Sequence, residues 1–159
     1  MPSEAKRQTQ ARLDLDRFVP YTLSLLSNRV SDAIARQYSE RFGLSIPEWR
    51  VMAVLGQTPG LSAGEVAVRT AMDKVQVSRA VASLLRTRRI ARAGDASDGR
   101  VTRLSLTRQG VAIYDEIVPL ALHLEEVLLG ALSPAERREL ESLMRKLTDR
   151  VNRLHVAAV

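Results

Sequence analysis

Ten lysine and arginine side chains crowd the stretch from Arg69 to Arg108: Arg69, Lys74, Arg79, Arg86, Arg88, Arg89, Arg92, Arg100, Arg103 and Arg108. Three acids, Asp73, Asp95 and Asp98, share this window, so its net charge is +7, against +6 for the whole 159-residue chain. Cations gathered on one quarter of a protein suit the phosphate backbone of a nucleic acid, which attracts them by charge and by charge-assisted hydrogen bonds. Two side chains of the window, one cationic and one neutral, could also read bases. Arginine donates a pair of hydrogen bonds to guanine, and glutamine pairs with an adenine edge. Arg79 and Gln76 stand three residues apart, which puts them on one face of a helix.

Other chemistry is scarce. The chain has no cysteine, which removes disulfides, thiolate metal sites and thiol redox sensing. Two histidines, His123 and His155, are too few for a zinc site. No nucleophile–base pair stands out, and Gly94-x4-Gly99 lacks the Lys-Ser/Thr that a phosphate-binding loop needs, so no enzyme and no cofactor is expected. Aromatics at 4% argue against a base-stacking platform for single-stranded RNA. No apolar run reaches the ~18 residues of a membrane span, and the first residues lack the apolar core of a signal peptide. A cytoplasmic protein is expected.

Elements that would position the cations are legible in the spacing. Residues 1–12 read as a flexible N-terminus. From Asp14 to Phe42, Leu23, Leu26, Val30, Ile34 and Tyr38 recur at threes and fours, one helical face ended by Gly43. Capping boxes open helices at Ser45–Glu48, Ser62–Glu65 and Ser133–Glu136, and Asp73–Gln76 reads as a fourth. The helices after Ser62 and Asp73 are short and closely joined, a helix-turn-helix pattern. On the second of them, Val77, Val81, Leu84 and Leu85 share the face to be buried. The opposite face carries Val75, Gln76, Arg79, Ala82, Ser83 and Arg86, and suits a helix lying in a major groove. Ile90–Ala93 and Val101–Leu106 read as two strands around a polar hairpin. Thr107 can cap the following helix, where Pro119 is expected to introduce a bend. The expected class is mainly α, an α+β winged helix.

Several short pieces carry a family resemblance: Ile46-Pro-Glu-Trp49, Gly60-Leu-Ser, Val77-Ser-Arg79, Asp95-Ala-Ser-Asp98-Gly-Arg100, Leu106-Thr-Arg-Gln-Gly110 and Leu132-Ser-Pro-Ala-Glu136. In this order and spacing the chain resembles a MarR-type winged-helix transcription factor over roughly Val30 to Val151. The resemblance implies a two-fold dimer on a pseudo-palindromic operator, with the N- and C-terminal helices interlocked. It implies a regulator, usually a repressor released by a small ligand. The expected organisation is a dimerisation helix at 13–44, a DNA-binding lobe at 45–107 with a recognition helix near 73–87 and a wing near 90–106, and dimerisation helices at 108–155. A MarR-type activator, and a helical interaction module without DNA binding, are the alternatives.

Site residues follow from that frame. Arg79 is expected to meet guanine or phosphate, Gln76 an adenine edge and Val75 a thymine methyl. Lys74 and Ser78 flank the helix and suit phosphate, and Ser83 and Arg86 extend the same surface. In the family a wing aspartate orients an arginine that enters the minor groove, and Asp98 and Arg100 keep that spacing. The family often carries a second arginine between them, where this chain has Gly99. Arg86, Arg88, Arg89 and Arg103 are expected to contact the DNA backbone or to serve as solubilising charge. Family members often bind aromatic ligands where the dimer helices meet the DNA-binding lobe. Tyr21, Tyr38, Trp49 and Tyr114 could line such a crevice, with Arg17, Arg50 and His123 as partners for a carboxylate.

Overall fold

Three capping boxes form as the sequence spells them. The hydroxyls of Ser45, Ser62 and Ser133 accept the amides of Glu48, Glu65 and Glu136, and each glutamate accepts the serine amide in return, at 2.7, 2.8 and 2.8 Å. Around these starts the computed structural model, which describes residues 12–157 apart from 96 and 99, lays out eight main elements. They are α1 (Val19–Phe42), α2 (Ile46–Gln57), α3 (Ala63–Thr70), α4 (Lys74–Arg86), β1 (Ile90–Gly94), β2 (Thr102–Leu106), α5 (Arg108–Leu129) and α6 (Pro134–Ala157). The expected flexible N-terminus falls almost wholly outside the described residues.

The first helix starts later than its apolar pattern suggests. A 3-10 turn at Leu15–Arg17 precedes an extended Phe18, and α1 begins at Val19. Pro20 explains the delay: without an N–H it fits only the first turn of a helix. Asp73 also departs from expectation. It caps α4 by accepting the Gln76 amide at 2.8 Å, but the reciprocal half of the box is absent. On α4 itself Val77, Ala80 and Leu84 are buried, while Val81 and Leu85 are only half-buried. Alanine at position 80 lets α4 sit close to its neighbours, a role that a wheel of large apolar residues does not reveal.

One core serves the whole lobe. Val51, Met52 and Leu55 of α2, Val66 of α3, Val77 and Leu84 of α4, Ile90 and Leu104 of the strands and Ile117 of α5 are almost wholly buried together. The strands pair antiparallel from Ile90–Leu106 to Gly94–Thr102. Leu61 adds a single bridge to Leu104: the Leu104 amide donates to the Leu61 carbonyl and the Gly60 amide to the Leu104 carbonyl, both at 2.8 Å. The wing is thereby stitched to the turn before α3. α5 continues through Pro119 without interruption, and the axis turns by 109° between α5 and α6.

The terminal helices contrast with this lobe. Among the described side chains of α6 none is buried, and Leu140, Leu143, Leu147, Val151 and Leu154 stay about half exposed. Leu23 and Leu26 of α1 do the same, whereas Tyr38, at the other end of that stripe, is 1% exposed. Between α1 and α5 lies an apolar cavity of about 540 Å³, lined by Val30, Ile34, Leu124, Leu128 and neighbours. Among the described residues no single helix is long and apolar enough to cross a membrane.

Candidate nucleic-acid interface

Two residues fix the start of α4. Ala71 takes a left-handed conformation, φ 53° and ψ 26°, which turns the chain sharply between α3 and α4. Asp73 then supplies the cap, and its negative charge favours the helix N-terminus. With Val77, Ala80 and Leu84 facing the core, Lys74, Val75, Gln76, Ser78, Arg79 and Arg86 are exposed on the outside. Val75, an apolar side chain, is 59% exposed. Two clefts flank this helix. One of about 350 Å³ lies between α4 and the start of α2 and is bordered by Gln76 and Arg79. The other, of about 390 Å³, lies toward the wing and is bordered by Lys74, Ser78 and Arg92. Arg92 thus joins the expected phosphate-facing pair; in the sequence it counts only as one more charge.

Ser83 behaves differently from its neighbours. It is half-buried, accepts a hydrogen bond from the Arg86 guanidinium at 3.2 Å, and stands against the carboxylate of Glu48. Glu48 is buried, which alone would raise its pKa. Hydrogen bonds from Ser83 and Ser45 and the charge of Arg89 outweigh burial and hold it below the usual carboxylate range. Arg89 turns inward as well. Its guanidinium donates to the Phe42 carbonyl, and its Nε and Nη1 are buried without a hydrogen-bond partner among the described residues. Of the four arginines expected at the DNA backbone or in solvent, Arg89 and Arg103 are held by the protein, and Arg86 and Arg88 are exposed.

The wing loop is organised by acids acting on backbone. Asp95 accepts the Ser97 amide and hydroxyl and the Asp98 amide, at 2.7, 2.6 and 3.1 Å. Asp98 accepts the backbone amide of Arg100 at 3.0 Å, and no ion pair joins the two side chains. The carboxylate therefore shapes the chain at Arg100 and leaves the guanidinium free to point outward. In an i, i+2 pair the backbone amide of residue i+2 is nearer the carboxylate than the distal end of a long arginine, so the backbone bond forms in the free wing. Gly99 lies outside the described residues.

The aromatic residues gather on the far side of α2. Trp49 packs between Tyr38 and Tyr114 in tilted ring pairs, with ring centroids 5.6 and 5.9 Å away. Gly56 makes room for the Tyr114 ring, which would collide with any side chain there. Burial pushes the Tyr38 hydroxyl up to about 12, opposed in part by the charge of Arg50. Arg50 itself donates to Ser31 of α1 at 3.0 Å. Tyr21 lies apart, 41% exposed on the first turns of α1. None of these five borders the cavity between α1 and α5. Among the described residues no group of acids and histidines could hold a metal ion.

A helix-turn-helix followed by a stitched two-stranded wing, with the cations on one side, defines a winged-helix DNA-binding lobe. The MarR family pattern matches residues 42–101, which run from the end of α1 through the helix-turn-helix and β1 to the start of β2. An HTH-type transcriptional repressor of Mycobacterium tuberculosis is 27% identical over 105 residues, 66% of this chain and 76% of the relative. The solved structure of a MarR/EmrR family transcriptional regulator from Acinetobacter sp. ADP1 is 28% identical and superposes with a TM-score of 0.81, covering 89% of this chain and 99% of that one. Bordetella bronchiseptica BpsR, whose structure addresses regulation of its DNA binding by 6-hydroxynicotinic acid, is 28% identical with a TM-score of 0.71, over 82% and 98% of the two chains. The chain is thus similar, over this lobe and in overall fold, to MarR-family transcriptional regulators, and these relatives are regulators rather than enzymes.

Proposed function

We propose that the protein is a homodimeric repressor that reads a pseudo-palindromic operator and is released by a small aromatic acid or acyl compound. It acts in the cytoplasm, where the DNA is. α4 lies in the major groove with Arg79, Gln76 and Val75 toward the bases. Lys74, Ser78 and Arg86 meet phosphates, and Ser83 steadies the helix from behind. Arg100 enters the minor groove, shaped by Asp98. The observation that carries this reading is the continuous exposed face of α4 beside an outward-pointing Arg100 on a wing anchored to the same lobe. Two recognition helices related by a two-fold axis would fall about one turn of DNA apart.

Dimerisation is supported by the bare apolar faces of α1 and α6 and by the cavity between α1 and α5, which an apolar helix of a second copy would fill. For the effector, the Tyr38, Trp49 and Tyr114 cluster next to Arg50 offers aromatic rings and a cation for an aromatic carboxylate, and Tyr21, farther along α1, stands apart from it. Such a ligand releases DNA only by binding the DNA-incompetent dimer more tightly.

The test is selection of duplexes from a random library by the wild-type protein, followed by titration of the selected duplex. Arg79→Ala and Arg100→Ala should each weaken binding by roughly 1–3 kcal/mol with the fold intact. A dimer neutralising about eight phosphates should give a log–log salt slope near roughly −7. A flat salt response, or no enriched duplex, would exclude DNA as the partner and favour a helical interaction module.

A further inference from the structure

Among the described residues, Arg103 is the one cation of the basic window whose guanidinium is forked between two carboxylates. Its Nε donates to Asp95 Oδ2 at 2.6 Å, and its Nη1 to Glu65 Oε2 at 2.9 Å. Each acceptor already organises backbone. The same Glu65 oxygen takes the Ser62 amide and hydroxyl and closes the cap of α3. The other oxygen of Asp95 takes the amides of Ser97 and Asp98, and Asp98 takes the amide of Arg100. A single side chain thus completes an unbroken series of polar contacts from the first turn of the helix-turn-helix to the wing arginine.

We propose that Arg103 is a positioning residue, a two-carboxylate clamp that fixes the wing loop against α3 and so sets where Arg100 meets the duplex relative to α4. The inference rests on the reading of the wing as a minor-groove element. A two-stranded hairpin is marginally stable on its own, so the reach of Arg100 depends on what ties the hairpin down. The Leu61–Leu104 bridge ties the base of the wing, and the Arg103 fork is the tie nearest its loop. A planar guanidinium can serve two carboxylates in fixed directions, which a lysine ammonium does not reproduce. Asp95 supports this role: bonds from the Ser97 hydroxyl, then Arg103, then the Ser97 and Asp98 amides hold its carboxyl far below the usual carboxylate range, so it remains charged. Arg103 commits its Nε and Nη1 to acceptors within the protein, which leaves only Nη2 for any other partner.

The experiment uses full-length protein and the duplex selected by the wild type. Arg103→Gln, Arg103→Lys, Arg100→Ala and the Arg100→Ala/Arg103→Gln double variant are compared. Hydroxyl-radical cleavage reports minor-groove protection, and guanine N7 methylation reports the major groove. The clamp predicts that Arg103→Gln loses roughly tenfold in affinity, and that the double variant loses no more than Arg100→Ala alone, as for coupled residues. Minor-groove protection should fade or shift while N7 protection stays. Arg103→Lys should not restore either, and in the free protein the Ser97 and Asp98 amides should exchange faster in both Arg103 variants. A direct phosphate contact would instead give additive losses and rescue by lysine; either result overturns the proposal. So would an unchanged footprint, or parallel loss of both protections with a lowered melting temperature. A wild-type protein that selects no duplex would bring down the DNA reading itself, and the clamp with it.

Discussion

Asp73 caps α4 through the Gln76 amide, and the side chain of Gln76 gives nothing back to the cap. The consequence is functional, because a reciprocal box would fold the residue 76 side chain against the helix start and away from solvent. Gln76→Glu would complete the box and add a negative charge to the N-terminus of α4. It should raise stability by roughly 0.5–1 kcal/mol. The same carboxylate would sit at the DNA-facing end of the helix and weaken duplex binding about tenfold or more. Opposite signs in urea denaturation and in DNA titration are the expected signature. A variant that binds as well as wild type would remove Gln76 from the interface.

Ala71 carries the turn between α3 and α4 at φ 53°, a region in which a β-carbon costs about 1 kcal/mol. Ala71→Gly should therefore raise the unfolding free energy by roughly 0.5–1 kcal/mol, even though glycine gains entropy in the unfolded chain. DNA affinity should stay within about twofold, since residue 71 sits before the recognition helix and the geometry of the turn is unchanged. A fall in the denaturation midpoint would show that the methyl group contributes packing worth more than the strain.

Local signals made much of this architecture readable. A serine and a glutamate three apart settle their own hydrogen bonds, so α2, α3 and α6 begin where the sequence places them. Thr107 likewise caps α5 through the Gly110 amide. Contacts between distant residues were less accessible. The Leu61–Leu104 bridge has no pattern of its own, because a single bridging residue shows no alternation. Arg103 looks like every other arginine in the window until folding brings Glu65 beside it. Arg89 is hidden for the same reason: only the assembled lobe places Phe42 and Glu48 around its guanidinium. The aromatic residues were recognisable as a set, but the packing of Trp49 between two tyrosines depends on Gly56, whose empty side is a property of the packed helices.

Gly110 lies against the carbonyl of Arg89, where an added β-carbon would overlap the oxygen. The neighbour is backbone, already accepting from the Thr107 amide and hydroxyl at 3.0 and 3.1 Å, so it cannot swing aside. Gly110→Ala should cost about 1–3 kcal/mol and loosen the junction between the wing and α5. Equilibrium denaturation measures it, and a cost below about 0.5 kcal/mol would mean that α5 can slide without consequence.

Tyr38 provides a pH test of the aromatic cluster. Its hydroxyl titrates near about 12 in the folded protein, against 10.0 ordinarily, because burial opposes the phenolate. The raised value means that the folded state holds the proton longer. Its contribution is therefore fully present below pH 10 and lost progressively as pH rises from 10 to 12. The loss should be on the order of 1–2 kcal/mol, and Tyr38→Phe should lack that component. Denaturation curves at pH 9 and pH 11.5 for the two proteins isolate it from other alkaline titrations. Identical pH dependence in both would place the hydroxyl in contact with water.

The apolar face of α6 supplies the last test. Leu143 is 48% exposed and Leu147 is 47% exposed, one turn apart on a helix that buries none of its described side chains. Covering a leucine is worth roughly 1.5–3 kcal/mol, so a second copy packing here gains from several such residues at once. Leu143→Glu with Leu147→Glu puts two carboxylates into that contact, where unpaired charges are costly. The double variant should sediment at half the wild-type mass while keeping the signature of a folded α2–α5 lobe. Its DNA affinity should fall at least about a hundredfold, because the two half-sites are no longer held together by the linked subunits. Dimers that persist in the variant would move the interface away from α6. A wild-type protein that is monomeric at micromolar concentration would remove the two-fold operator from the proposal.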